Sequence, residues 1–218
     1  VCGKAEVYDK AEVYNEAIVC GEAEVYDEAE VYNEARVCGK AEVYDKAEVY
    51  NEAIVCGEAE VCDEARVYGE AIVCDKAKVC GEARVCGEAK VYGEAEVYGE
   101  AEVCDEARVY GEAIVCGEAE VYGRAEVCGE ARVYGEARVC GEAKIKSTSD
   151  YITISPIGSR NGVTTAFRTA EGVRIACGCF YGSIDEFEKK VRKTHGDNQY
   201  GREYLAVIER LKVRFGEK

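Results

Sequence analysis

The sequence predicts an all-β solenoid over residues 1–146, with three hexads per coil and about eight coils, followed by a small α+β capping domain over residues 147–218. Three observations carry this. From Ala5 to Glu142 one phrase, Ala-x-Val-[Cys/Tyr]-[Gly/Asp/Asn]-[Glu/Lys/Arg], runs 23 times without an insertion. Residue types then recur every 18 positions, and after Lys144 the phrase stops. Six residues cannot bury a core alone, so each unit must stack on copies of itself.

Within each hexad the first four residues alternate with the period of a strand. Ala and Val fall on one face, the variable x and the Cys or Tyr on the other. Gly, Asp or Asn followed by a charged residue is corner chemistry that tolerates left-handed backbone. Val and Ala therefore fill the inside, and Glu, Lys, Arg, Tyr and Cys line the outside.

The spacing of 18 sets the coil. Lys4, Glu22, Lys40, Glu58 and Lys76 alternate in sign at that interval, as do Lys10, Glu28, Lys46 and Glu64. Opposite charges then sit on neighbouring rungs. Eight rungs at about 4.8 Å give a rod about 38 Å long.

The phrase, read as Val7-Tyr8-Asp9-Lys10-Ala11-Glu12 or Val97-Tyr98-Gly99-Glu100-Ala101-Glu102, resembles the hexapeptide-repeat proteins. That resemblance implies a left-handed parallel β-helix of triangular section. Many members are acyltransferases that use a His base and loops leaving the coil, and some relatives bind zinc through three His. Residues 1–146 contain no His, Ser or Thr and no inserted loop. The expectation is a non-enzymatic rod without cofactor or metal; a relative of the acyltransferases that has lost catalysis is an alternative.

Three outer faces follow. One carries the column Cys2, Cys20, Cys38, Cys56 and Cys74 beside Ile18, Ile54 and Ile72; a second stacks Tyr8, Tyr26 and Tyr44. The third stacks Tyr14, Tyr32 and Tyr50 with Glu12, Glu30 and Glu48, and a corner row adds Glu16, Glu34, Glu52 and Glu70. This third face is the most acidic strip, a candidate interaction surface that folding does not require. Stacked tyrosines suit a protein partner or a second rod.

Twelve of the 14 cysteines take the outward position, where Cys and Tyr read as interchangeable fillers in a reducing cytosol. In-register rungs hold Cβ atoms slightly too far apart for disulfides, and the repeat lacks the CxxC spacing of zinc sites. The acidic surroundings should also raise the thiol pKa values.

Charge divides the chain. The last 72 residues carry 12 Lys and Arg against nine Asp and Glu, net +3, which leaves −19 of the total −16 on residues 1–146. Such a rod does not bind nucleic acid directly, although an acidic mimic that occupies a DNA-binding protein is a further alternative. No window of about 18 apolar residues predicts a membrane span. The expected location is cytoplasmic; the start at Val1 leaves room for a removed targeting segment, and its lack of an evident cap suggests end-to-end association.

Beyond the repeat, residues 146–150 read as a linker and Tyr151–Ile154 as a strand. Residues 164–169 and 173–177 read as a hairpin. Ser183 and Glu186 form a capping box opening a helix that ends near His195, and a second helix runs from about Tyr200 to Val213. This domain should cap the last rung, whose strand edges would otherwise recruit another chain. Its phrase Gly-Cys-Phe-Tyr-Gly-Ser-Ile-Asp-Glu-Phe, then Thr-His-Gly, is similar to C-terminal segments of uncharacterised bacterial and phage hexapeptide-repeat proteins. Cys177, Cys179 and His195 are the one conceivable chemical cluster; His195 also suits a helix C-terminus. Lys189, Lys190, Arg192 and Lys193 could bind phosphate.

Overall fold

The computed structural model, which describes residues 1–216, is a parallel β-solenoid followed by a small helix-and-sheet cap. Its rod consists of three parallel sheets of eight strands each. Every strand pairs with the one 18 residues later, as in Glu6↔Glu24, Glu12↔Glu30 and Ile18↔Arg36. Three hexads therefore complete one coil.

From Val19 to Ala143 every Ala and Val of the phrase is fully buried. The alternation explains this, since each Val faces two Val neighbours above and below and is sealed by Ala at the turn. Burial of one such Val contributes about 1.5–3 kcal/mol. On the first rung Ala5, Val7, Ala11, Val13 and Ala17 are only partly buried.

The corners demand left-handed backbone at the fifth hexad position, with φ from 50° at Asn15 to 81° at Gly21. Only Gly, Asn and Asp adopt it readily, which is why no other residue occupies that site. Where an Asp corner lies below a Gly corner, its carboxylate accepts the Gly N–H: Asp63 from Gly81 at 3.0 Å, Asp75 from Gly93 at 3.1 Å, Asp105 from Gly123 at 3.0 Å. The alternating charges pair as expected, Lys4–Glu22 at 2.9 Å and Lys10–Glu28 at 2.6 Å. Exposed pairs of this kind add little stability.

The cap begins with a 3-10 turn, Thr148–Asp150, closed by a Ser147–Asp150 capping box, so residues 146–150 are an ordered joint where a linker was expected. Four antiparallel strands follow in chain order: Tyr151–Ile157, Gly162–Thr169, Gly172–Cys177 and Phe180–Gly182. The last of these was not expected; three residues, the third a glycine, give no periodicity to read. Helix α1 (Ile184–His195) carries the expected capping box, and α2 (Gln199–Phe215) starts on an Asn198 cap. Together they bury Ile184, Phe187, Val191, Ile208 and Leu211 on the sheet.

The cap docks on the last rung through hydroxyls. The Arg132 N–H donates to Thr148 Oγ1 at 3.1 Å, the Tyr134 N–H to the Tyr151 hydroxyl at 3.3 Å, and the Arg138 N–H to Thr165 Oγ1 at 3.0 Å. Phe167 and Tyr151 continue the core of the rod beyond its last coil.

Candidate functional site

The acidic strip forms as a continuous surface, and half of it is already engaged. Tyr14, Tyr32, Tyr50 and Tyr68 stack with ring centroids 5.0 Å apart and planes within 3°. The Tyr14 hydroxyl donates to Glu30 at 2.8 Å and that of Tyr32 to Glu48 at 3.1 Å. Glu48 also meets Arg66 at 3.2 Å. These donors offset the repulsion expected between like charges one rung apart, so part of the strip does serve folding. The tyrosines answer in their ionisation: the hydrogen bond to Glu30, then desolvation, pushes Tyr14 up to about 12.

Glu12 and the corner residues Glu16, Glu34, Glu52, Glu70 and Glu88 have no ion pair among the described residues. The corner row ends where Arg124 pairs with Glu106 at 3.2 Å. At its other end Glu16 and Glu34 take φ of 64° and 60°, a conformation rare for Glu. There the Glu34 N–H turns to the Asn15 carbonyl at 3.0 Å, whereas the equivalent Glu28 N–H reaches Asp45 at 2.8 Å on the rung above.

Cys2, Cys20, Cys38, Cys56 and Cys74 stand in one column, all as free thiols. Burial first, with neighbouring groups second, raises the pKa values of Cys20, Cys38, Cys56 and Cys74. Desolvation is thus the main cause where surface acidity was expected. Ile18 flanks the column as an exposed apolar residue, while Ile54 and Ile72 are half-buried.

The other two faces correct the expectation that outward cysteines stay unpaired. Cys62–Cys80 and Cys86–Cys104 are disulfides, with Cα atoms 4.8 and 4.7 Å apart. Those separations lie within the range a disulfide spans, because rotation about the Cα–Cβ bond brings the sulfurs together even when the backbones are in register. Both are isolated pairs with Tyr above and below. Cys62, Asp63 and Cys80 are also the one converging set of metal-ligating groups among the described residues, and two of its sulfurs are spent on the cross-link.

The cap brings Cys177, Cys179 and His195 to one cleft of about 560 Å³, bounded by the 158–161 and 178–179 turns with the strand ends beside them, α1 and α2. Thr164 Oγ1 donates to Cys177 Sγ at 3.0 Å, and Tyr204 stacks on His195 at 5.6 Å. Of the basic run, Lys190 reaches this cleft and Lys189, Arg192 and Lys193 do not. Arg138, Arg160 and Tyr204 also line it, and no local motif marks them because they come from three separate elements.

The fold defines a class, the three-sided parallel β-solenoids with a terminal α+β cap. No protein-family model and no curated protein sequence matches this chain. No helix among the described residues is long and apolar enough to cross a membrane.

Proposed function

We propose that this chain is a non-enzymatic scaffold, a left-handed hexapeptide-repeat rod that presents tyrosine, cysteine and glutamate ladders to a protein partner or a second rod. The observation that carries this is the order of the third face. Its four rings are stacked and the hydroxyls of Tyr14 and Tyr32 are tied to the next rung, so binding would freeze few side chains that are not already fixed.

The test is capture by the immobilised full chain, compared with a variant carrying Gln at Glu16, Glu34, Glu52 and Glu70, together with sedimentation for self-association. Equal capture by both, with a monomer at high concentration, would remove the proposal. A second reading, an acidic mimic directed at a DNA-binding protein, is favoured by the unpaired corner row. Duplex DNA should then compete for whatever the rod captures.

A further inference from the structure

We propose that the cleft in the cap binds a small organic anion, an aryl or alkyl body bearing a carboxylate or phosphate. The first ground is charge. In a chain of net −16, the described side chains lining this cleft include Arg138, Arg160 and Lys190, with His195 beside them, and not one Asp or Glu. Arg138 is held by Glu120 at 3.2 Å. Arg160 and Lys190 have no ion pair and no side-chain hydrogen bond among the described residues. Two cations brought to one concave site repel each other, and no carboxylate among the described lining residues compensates them.

Apolar lining is the second ground. Phe180 and Phe187 pack at 5.1 Å and Tyr204 meets Phe187 edge-on at 5.7 Å. Bare inorganic phosphate would leave this surface uncovered. A ring or chain covers it, while its charged end reaches the rim.

The third ground is that the walls are held in place. Gly158 has φ 72°, and a Cβ there would collide with the Tyr204 hydroxyl, so the loop closes on α2 only because this residue is glycine. Its N–H donates to Glu203 at 3.1 Å. That contact fixes the loop bearing Arg160 and occupies the one carboxylate next to Tyr204. A volume of about 560 Å³ falls within the usual span of small-molecule sites, about 300–1,000 Å³.

The experiment is calorimetric titration of the full chain with phenyl phosphate, 4-phenylbutyrate, the neutral 4-phenylbutanol and inorganic phosphate. At least one aryl anion should saturate at one per chain, with the alcohol and inorganic phosphate each about tenfold weaker or worse. Arg160→Gln and Lys190→Gln should each weaken binding by about tenfold, the size of one charge-assisted hydrogen bond, while Lys189→Gln leaves it unchanged. Bound anion should also slow alkylation of Cys179, an exposed thiol in the lining. The tighter of the two acids names the head group. Absence of saturable binding by either acid, an alcohol as tight as the acids, or Arg160→Gln and Lys190→Gln indistinguishable from Lys189→Gln would overturn the assignment.

Discussion

Replacing Thr165 with Val tests how the rod is terminated. Thr165 is fully buried, and its Oγ1 accepts the Arg138 N–H at 3.0 Å while sharing a 3.2 Å hydrogen bond with Thr153. Val keeps the shape and removes the acceptor. An orphaned buried N–H costs about 1–3 kcal/mol, so Thr165→Val should destabilise by about 2 kcal/mol. Thr148→Val removes the acceptor of the Arg132 N–H at an exposed site; water replaces it there, and the cost should stay within about 0.5 kcal/mol. Because a solenoid is stabilised rung by rung, the loss should concentrate at the end. Urea unfolding gives the total, and native-state amide exchange gives its location, with the Arg138 amide opening at least about tenfold more often and that of Val61 unchanged. Thr165→Val within error of the wild-type stability, with unaltered exchange at Arg138, would refute the idea that cap hydroxyls close the ladder.

Gly39→Ala should cost about 3 kcal/mol or more by thermal or urea unfolding, since its Cβ would lie 2.8 Å from the Gly57 carbonyl oxygen at φ 79°. Gly135→Ala, at φ 68° with no atom within 4 Å, should cost only the left-handed term of about 1–2 kcal/mol. Thiol titration of the unfolded, unreduced chain should find ten free cysteines, and reduction of either disulfide, each closing a separation of 18 residues, should lower stability by about 3 kcal/mol. The pKa of Tyr14 is raised to about 12, so its contribution is complete below the unfolded value of about 10 and is lost as pH climbs through about 12; phenolate absorbance should show this late titration, shifted down by Glu30→Gln. A rod whose tyrosines all titrate near pH 10 would contradict the Tyr–Glu ladder.

The hexad made the rod legible residue by residue: Val at one fixed position, Ala two places before it, and a left-handed residue two places after leave one way to stack. The spacing of Lys4 and Glu22 even gave the ion pair. The chemistry of neighbouring rungs was harder to read, because whether Cys62 meets Cys80 depends on side-chain rotation, which no periodicity records. Tyr14 and Glu30 are 16 residues apart, a diagonal neither the hexad nor the 18-residue coil displays. The cleft was least visible. Cys177, Cys179 and His195 could be singled out by scarcity alone, but Arg138 comes from the rod and Arg160 from a turn, and only tertiary packing makes them neighbours.

Hydroxyl chemistry is divided between rod and cap for a physical reason. Ser, Thr, Asn and Asp side chains on a strand compete for nearby backbone groups, and in this rod each short strand has very few ladder bonds to lose. Residues 1–146 contain no Ser or Thr, and their Asn and Asp occupy only corners, where left-handed backbone requires them. The outward sites hold Cys, a weak hydrogen-bonding group, or Tyr, whose hydroxyl lies far from its own backbone. Pairing between rungs is therefore uncontested along the whole rod, and nothing within the phrase can end it. Termination has to come from outside the repeat. At the last rung two residues of a type the phrase lacks, Thr148 and Thr165, accept N–H groups that would otherwise pair with another coil, and the Tyr151 hydroxyl, brought in from the cap's first strand, accepts a third.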